Sequence, residues 1–132
     1  LAFTPDEKVL YVNDTRRGHI RAFDLLPNGT LARHTDRVFA DLRGSEPGVP
    51  DGMKVDTEGR LWTTGAGGVS VITARGEHLG TFETENHAAN LAFGGDDFST
   101  LYLTAGTTIY SVPTKVRGIA ASRSMEKSNG SM

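Results

Sequence analysis

The sequence has no cysteine, one tryptophan, no long apolar run and no excess of either charge sign. Each of these absences excludes something. Without cysteine there can be no disulfide and no thiolate metal site, and a reducing compartment is permitted. Cytoplasmic placement is therefore the expectation. Because the chain opens on Leu1 in the middle of a pattern, a periplasmic or secreted placement stays open. No stretch reaches the length of a transmembrane helix, so no membrane span is expected. Lys and Arg number 14 against 16 Asp and Glu, for a formal charge of -2. So even a balance carries no basic field for nucleic acid or an anionic lipid surface. Sustained helical periodicity is missing as well, which argues against an α-rich fold.

What the chain does have is glycine, 16 of 132 residues, set between short runs rich in Val, Ile, Thr, Phe and Tyr. Glycine punctuation between short β-branched and aromatic runs is the pattern of a turn-rich β protein. The runs recur in order. The first unit reads Leu1-Ala2-Phe3, a turn at Thr4 to Lys8, Val9 to Asp14, Gly18 to Asp24, and Leu31 to Phe39. The second reads Met53-Lys54-Val55, a turn with Gly59, Leu61 to Thr64, Gly68 to Ile72, and Leu79 to Phe82. The third reads Leu91-Ala92-Phe93, a turn at Gly94 to Ser99, Leu101 to Thr104, and Thr108 to Val112. Alternation puts Ile20, Ala22, Val69 and Val71 on one face, with Arg21 and Ser70 on the other. Four antiparallel strands repeating at about 40 to 50 residues match a blade of a β-propeller. A meandering sandwich also spaces its strands evenly. The in-step recurrence at the start of each unit favours the propeller.

The fold expected is thus all-β, with about three four-stranded antiparallel blades at residues 1–45, 46–86 and 87–118. A polar, serine-bearing stretch at 119–132 reads as a disordered tail. A ring needs about four to eight blades. Three blades imply half of a larger propeller, with open blade faces that favour self-association.

Chemistry is expected at Pro50-Asp51-Gly52, directly before the strand Met53-Lys54-Val55. Pro-Asp-Gly is a turn former, because Pro fixes φ, Asp bonds nearby backbone and Gly tolerates positive φ. A loop at a strand mouth is also where functional groups tend to stand. Asn90 before Leu91 and His87 beside Ala88 occupy the entrance of the third unit. Both read as substrate contacts, or as a turn residue and a loop histidine respectively. Asp14, Asp24 and Asp56 follow strands, where a carboxylate commonly accepts from turn amides. Tyr11, Trp62 and Tyr102 recur at equivalent strand positions and read as packing residues. Gly65-Ala66-Gly67-Gly68 has no following Lys-Ser or Lys-Thr and reads as a hairpin loop.

These residues together carry a resemblance. Pro50-Asp51-Gly52-Met53, Asp56-x-x-Gly59-x-Leu61-Trp62, and Asn90-Leu91-Ala92-Phe93-Gly94-Gly95 with Leu101-Tyr102-Leu103-Thr104 resemble the gluconolactonase/regucalcin family. Leu1-Ala2-Phe3-Thr4-Pro5-Asp6 with Leu10-Tyr11-Val12-x-Asp14-Thr15 is similar to its mid-chain blade. The resemblance implies a six-bladed propeller, of which residues 1–118 form the C-terminal half. It implies a divalent cation at the channel mouth, calcium before zinc, magnesium or manganese, with Asp51 as ligand and base. It also implies hydrolysis of a sugar lactone, the small-molecule partner, by a metal-activated water. A non-catalytic calcium-binding or ligand-binding propeller, or a lactonase or organophosphate hydrolase with another substrate, stays open beside it. The asparagine and glutamate ligands of the family would lie upstream of Leu1.

Overall fold

The computed structural model describes residues 1–120 and contains eleven strands in three antiparallel sheets. β1 (Ala2–Phe3), β2 (Val9–Asp14), β3 (His19–Leu25) and β4 (Leu31–Asp41) form the first, in chain order. β5 (Met53–Val55), β6 (Leu61–Gly65), β7 (Gly68–Ile72) and β8 (His78–Glu83) form the second. β9 (Ala88–Gly94), β10 (Thr100–Ala105) and β11 (Thr108–Pro113) form the third, which numbers three strands among the described residues. The expectation for residues 119–132 falls largely outside them. Among the described residues no helix is long and apolar enough to cross a membrane.

The turns explain why the chain folds back so often. In the turn after β5, Asp56 accepts the amides of Glu58 at 2.9 Å and Arg60 at 3.0 Å, while Gly59 takes φ +81. A side chain at that φ would be strained, so glycine closes the hairpin. The register then follows: Met53 pairs with Thr63, Lys54 with Trp62 and Val55 with Leu61.

Two cores join the three sheets. Tyr11, Ile20 and Ala22 of the first sheet pack against Met53, Val55, Leu61 and Ile72 of the second. Val69 of the second, with Trp62 and Phe82 beside it, packs against Leu91, Leu101, Leu103 and Ala105 of the third. The second sheet is therefore covered on both faces. The expected alternation holds in β7, where Val69 and Val71 pair with Thr64 and Trp62 and Ser70 with Thr63, but Ser70 is buried as well, its hydroxyl 2.8 Å from that of Thr81. The first strands β1, β5 and β9 lie side by side, so the sheets converge along one axis as propeller blades do.

Candidate functional site at the Pro50–Gly52 loop

The loop before β5 is held by its backbone from all three sheets. Asp51 donates its N–H to the Thr64 hydroxyl at 2.9 Å, and that hydroxyl donates to the Val49 carbonyl at 3.1 Å. The Thr64 amide donates to the Gly52 carbonyl at 3.0 Å. From the first sheet, the Thr15 hydroxyl donates to the Pro50 carbonyl at 2.7 Å, and the Asn13 amide donates to the Asp51 carbonyl. From the third, the Ala89 carbonyl accepts the Gly52 N–H at 2.9 Å. Pro50 and Thr64 are buried, and Asp51 between them is exposed.

The turn reading of Pro50-Asp51-Gly52 needs a correction in its last residue. Gly52 does not take a positive φ. A Cβ there would stand 2.5 Å from the Asn90 Cα and 2.9 Å from the Ala89 carbonyl oxygen. Glycine is required because β9 passes too close for any side chain, not because the chain turns.

Among the described residues, no donor bonds the Asp51 carboxylate and no cation pairs with it. Its backbone is fixed and its acid group is uncommitted. Asn90 lies against Gly52, exposed, with its own Oδ1 accepting the Leu91 N–H at 2.9 Å. His87 is exposed and lines a neighbouring cavity of about 270 Å³ with Glu46, Glu83 and Asn86. The structure thus brings Asn90 beside the Asp51 loop and sets His87 in the adjoining hollow, which Asp51 does not line. His34 and His78 are exposed, while His19 is half-buried with Nε2 3.5 Å from Asp14.

Asn13, Thr15 and Thr64 were not anticipated as anchors, although a signal was present. Each second strand carries a polar residue two positions after its recurrent aromatic: Asn13 after Tyr11, Thr64 after Trp62, Thr104 after Tyr102. All three side chains donate to loop or strand carbonyls at the same end of the sheets, Thr104 to Asn90 at 3.5 Å.

Whether a hard cation fits depends on oxygen donors. The Asp51 carboxylate is open, and the buried Oδ1 of Asn13 has no hydrogen-bond partner. These fit such an ion in kind. In number they do not complete a shell, since calcium takes about six to eight oxygens. Among the described residues no three His, Cys, Asp or Glu side chains are grouped to hold a metal.

Three antiparallel sheets set side by side along their first strands, with an exposed carboxylate on the loop before β5, define a propeller-type protein. Residues 1–107 match the model of the SMP-30/Gluconolactonase/LRE-like region, and the chain belongs to that family. It is 32% identical over 127 residues to a gluconolactonase of Zymomonas mobilis, covering 89% of this chain and 35% of that protein. It is 33% identical over 110 residues to a regucalcin of Danio rerio, covering 80% and 36%. Among solved structures, a gluconolactonase of Xanthomonas campestris superposes with TM-score 0.74 at 37% identity, over 86% of this chain and 36% of that one. The chain spans little more than a third of the length of these relatives.

Proposed function

We propose that this chain carries part of the active site of a sugar-lactone hydrolase, with Asp51 at its centre. The observation behind this reading is the open Asp51 carboxylate on a backbone pinned from three sheets. A group held that way is preorganised without being neutralised, which suits acid–base work. The gluconolactonase names among the relatives support the substrate class.

A lactone is a cyclic ester. Water adds to the carbonyl carbon, the ring C–O bond breaks, and the released alkoxide takes a proton to give a hydroxy acid. Asp51 would accept the proton of the attacking water and return it to the leaving oxygen. Asn90 would contact substrate hydroxyls from β9, and His87 those reaching the adjoining hollow. A divalent cation, calcium before zinc, magnesium or manganese, would be held by Asp51 with oxygens from outside the described residues. It would supply positive charge at the carbonyl oxygen.

The test is titrated hydrolysis of gluconolactone by the purified protein and by Asp51→Asn. The variant keeps the size and loses the charge, and turnover is expected to fall about 10³-fold. Retained turnover in Asp51→Asn overturns the reading. The short donor count favours one second reading, a ligand-binding propeller without turnover. Saturable lactone binding with no hydrolysis would decide for it.

A further inference from the structure

Thr64 differs from the other anchors of the Asp51 loop in what it spans. Asn13 and Thr15 each hold one carbonyl from the first sheet, and Ala89 holds one N–H from the third. Thr64 stands in β6, beside the strand that the loop feeds, and grips the chain on both sides of Asp51. Its hydroxyl accepts the Asp51 N–H at 2.9 Å and donates to the Val49 carbonyl at 3.1 Å. Its own N–H donates to the Gly52 carbonyl at 3.0 Å.

The hydroxyl does what the backbone at this point cannot. Pro50 lies between the two groups it joins, and proline has no N–H to give. A hydroxyl has one proton to donate and two lone pairs to accept with. Because the Asp51 N–H can only donate, the single Thr64 proton is left for Val49, and the direction of both bonds is fixed. Thr64 and Pro50 are fully buried. Removing that one oxygen strips two backbone groups of their partner. The β-branch adds stiffness, since threonine is restricted about χ1 and holds the oxygen in one place.

We infer that Thr64 is a positioning residue for Asp51: its hydroxyl sets the direction in which the carboxylate leaves the loop. This role rests on the hydrolase reading of Asp51, and Thr64 acts only through that residue. A displacement of about 1 Å at a reacting group can cost about 100-fold in rate. The effect of Thr64 therefore falls on turnover more than on substrate binding. Thr63 supplies an internal contrast. It is the preceding residue and equally buried, but its hydroxyl donates to the Thr64 carbonyl at 3.1 Å and not to the loop.

Thr64→Val, Thr64→Ser and Thr63→Val, made in the purified protein beside Asp51→Asn, test this. Valine keeps the shape of threonine and removes only the hydroxyl. Thr64→Val is expected to lower kcat for gluconolactone about 10- to 100-fold and to move KM by less than about threefold. Thr64→Ser keeps the oxygen but loses the methyl that stiffens χ1, and should recover kcat to within about fivefold of wild type. Thr63→Val should leave kcat within about twofold, although it removes an equally buried hydroxyl. Hydrogen exchange at the Asp51 amide reads the bond itself. Thr64→Val should speed that exchange about 10-fold or more, and Thr63→Val should not. An equal fall in kcat for both valine variants would make the effect one of stability, and overturns the positioning role. So does full turnover in Thr64→Val, a serine variant as slow as the valine one, or unchanged exchange at Asp51. Loss of turnover in Asp51→Asn alone would leave the hydrolase reading standing without Thr64. Full turnover in Asp51→Asn, or none in the wild type, would remove that reading and the role of Thr64 with it.

Discussion

Asp51 and Asp56 flank the same three-residue strand, one before Met53 and one after Val55, and they have opposite fates. Asp56 is fully buried and accepts four donors: the amides of Glu58 and Arg60, Arg60 Nε at 2.8 Å and Trp62 Nε1 at 2.9 Å. Its charge is spent on local structure, closing the β5–β6 hairpin and orienting the indole that packs against the third sheet. Asp51 has its backbone held by every neighbour and its carboxylate by none among the described residues. One acid builds the scaffold and the other is presented by it. Burial and donor count separate the two, since both begin as an aspartate beside a turn.

One substitution made at both positions tests that contrast. The largest effect is expected for Asp56→Asn. The amide keeps one oxygen for the two turn N–H groups, but sets an NH₂ against Arg60 Nε and Trp62 Nε1, both donors. Leaving those donors unpaired, with only Glu58 still paired to the Arg60 guanidinium, is expected to cost about 3 kcal/mol of stability. Urea melts read the change. A loss below about 1 kcal/mol would show that Asp56 is not the structural member of the pair.

Next comes Gly52→Ala. The added methyl has no room against Asn90 and Ala89, so the loop must lift from β9, at about 1 to 3 kcal/mol, typical of overpacking. Because the shift is at Asp51, lactone turnover should fall more than stability does. Equal activity in a destabilised protein would detach the Ala89 anchor from function. Trp62→Phe is expected to cost about 1 to 2 kcal/mol, by removing one donor to Asp56 and part of the ring that meets Phe93. Unchanged thermal stability there would count against the shared role of Asp56 and Trp62.

The fold was legible because it is local and repeated. Alternation and glycine turns place the strands, and the recurring Leu-Tyr, Leu-Trp and Leu-Tyr pairs set the blades in step. In β7 alternation set Val69 and Val71 opposite Ser70 but gave no sign that both faces are buried, because that depends on the sheets packed on either side. Gly52 was misread for a related reason: a turn glycine and a close-approach glycine look alike until the neighbouring strand is placed. At the site, Asp51 stood out through its motif. Asn13 and Thr15 reach it across a sequence separation of more than thirty residues, which no local pattern encodes.

Acid stability offers a smaller effect, spread over the surface. Hydrogen bonds from Arg43 hold the Asp41 carboxyl down to about 2, from an ordinary value of 3.8. Asp14 is lowered by bonds from Arg17, Asp36 by Arg21, and Asp97 by Ser99. Lowered carboxyls stabilise the fold above their unfolded value, and that contribution is lost as pH falls through the folded one. Melting temperature should therefore decline between about pH 4 and pH 2, and Arg43→Ala should flatten the decline slightly. These groups are exposed, so the slope is shallow. An acid limb centred above pH 5 would point to some other titrating group.

The smallest stability effect is expected at Asp51, where the function is proposed. Asp51→Asn breaks no hydrogen bond seen among the described residues, since Thr64, Asn13 and Ala89 hold main-chain atoms that the variant keeps. An exposed, unpaired carboxylate replaced by an amide of the same size should move the melting free energy by about 0.5 kcal/mol or less. With chelator present, wild type and variant should melt together. With added calcium, only the wild type should gain, because a ligand bound to the folded state stabilises it in proportion to its occupancy. A variant that melts well below the wild type without calcium would mean that the Asp51 carboxylate is tied into the scaffold as Asp56 is. The division of labour between the two acids would then fail.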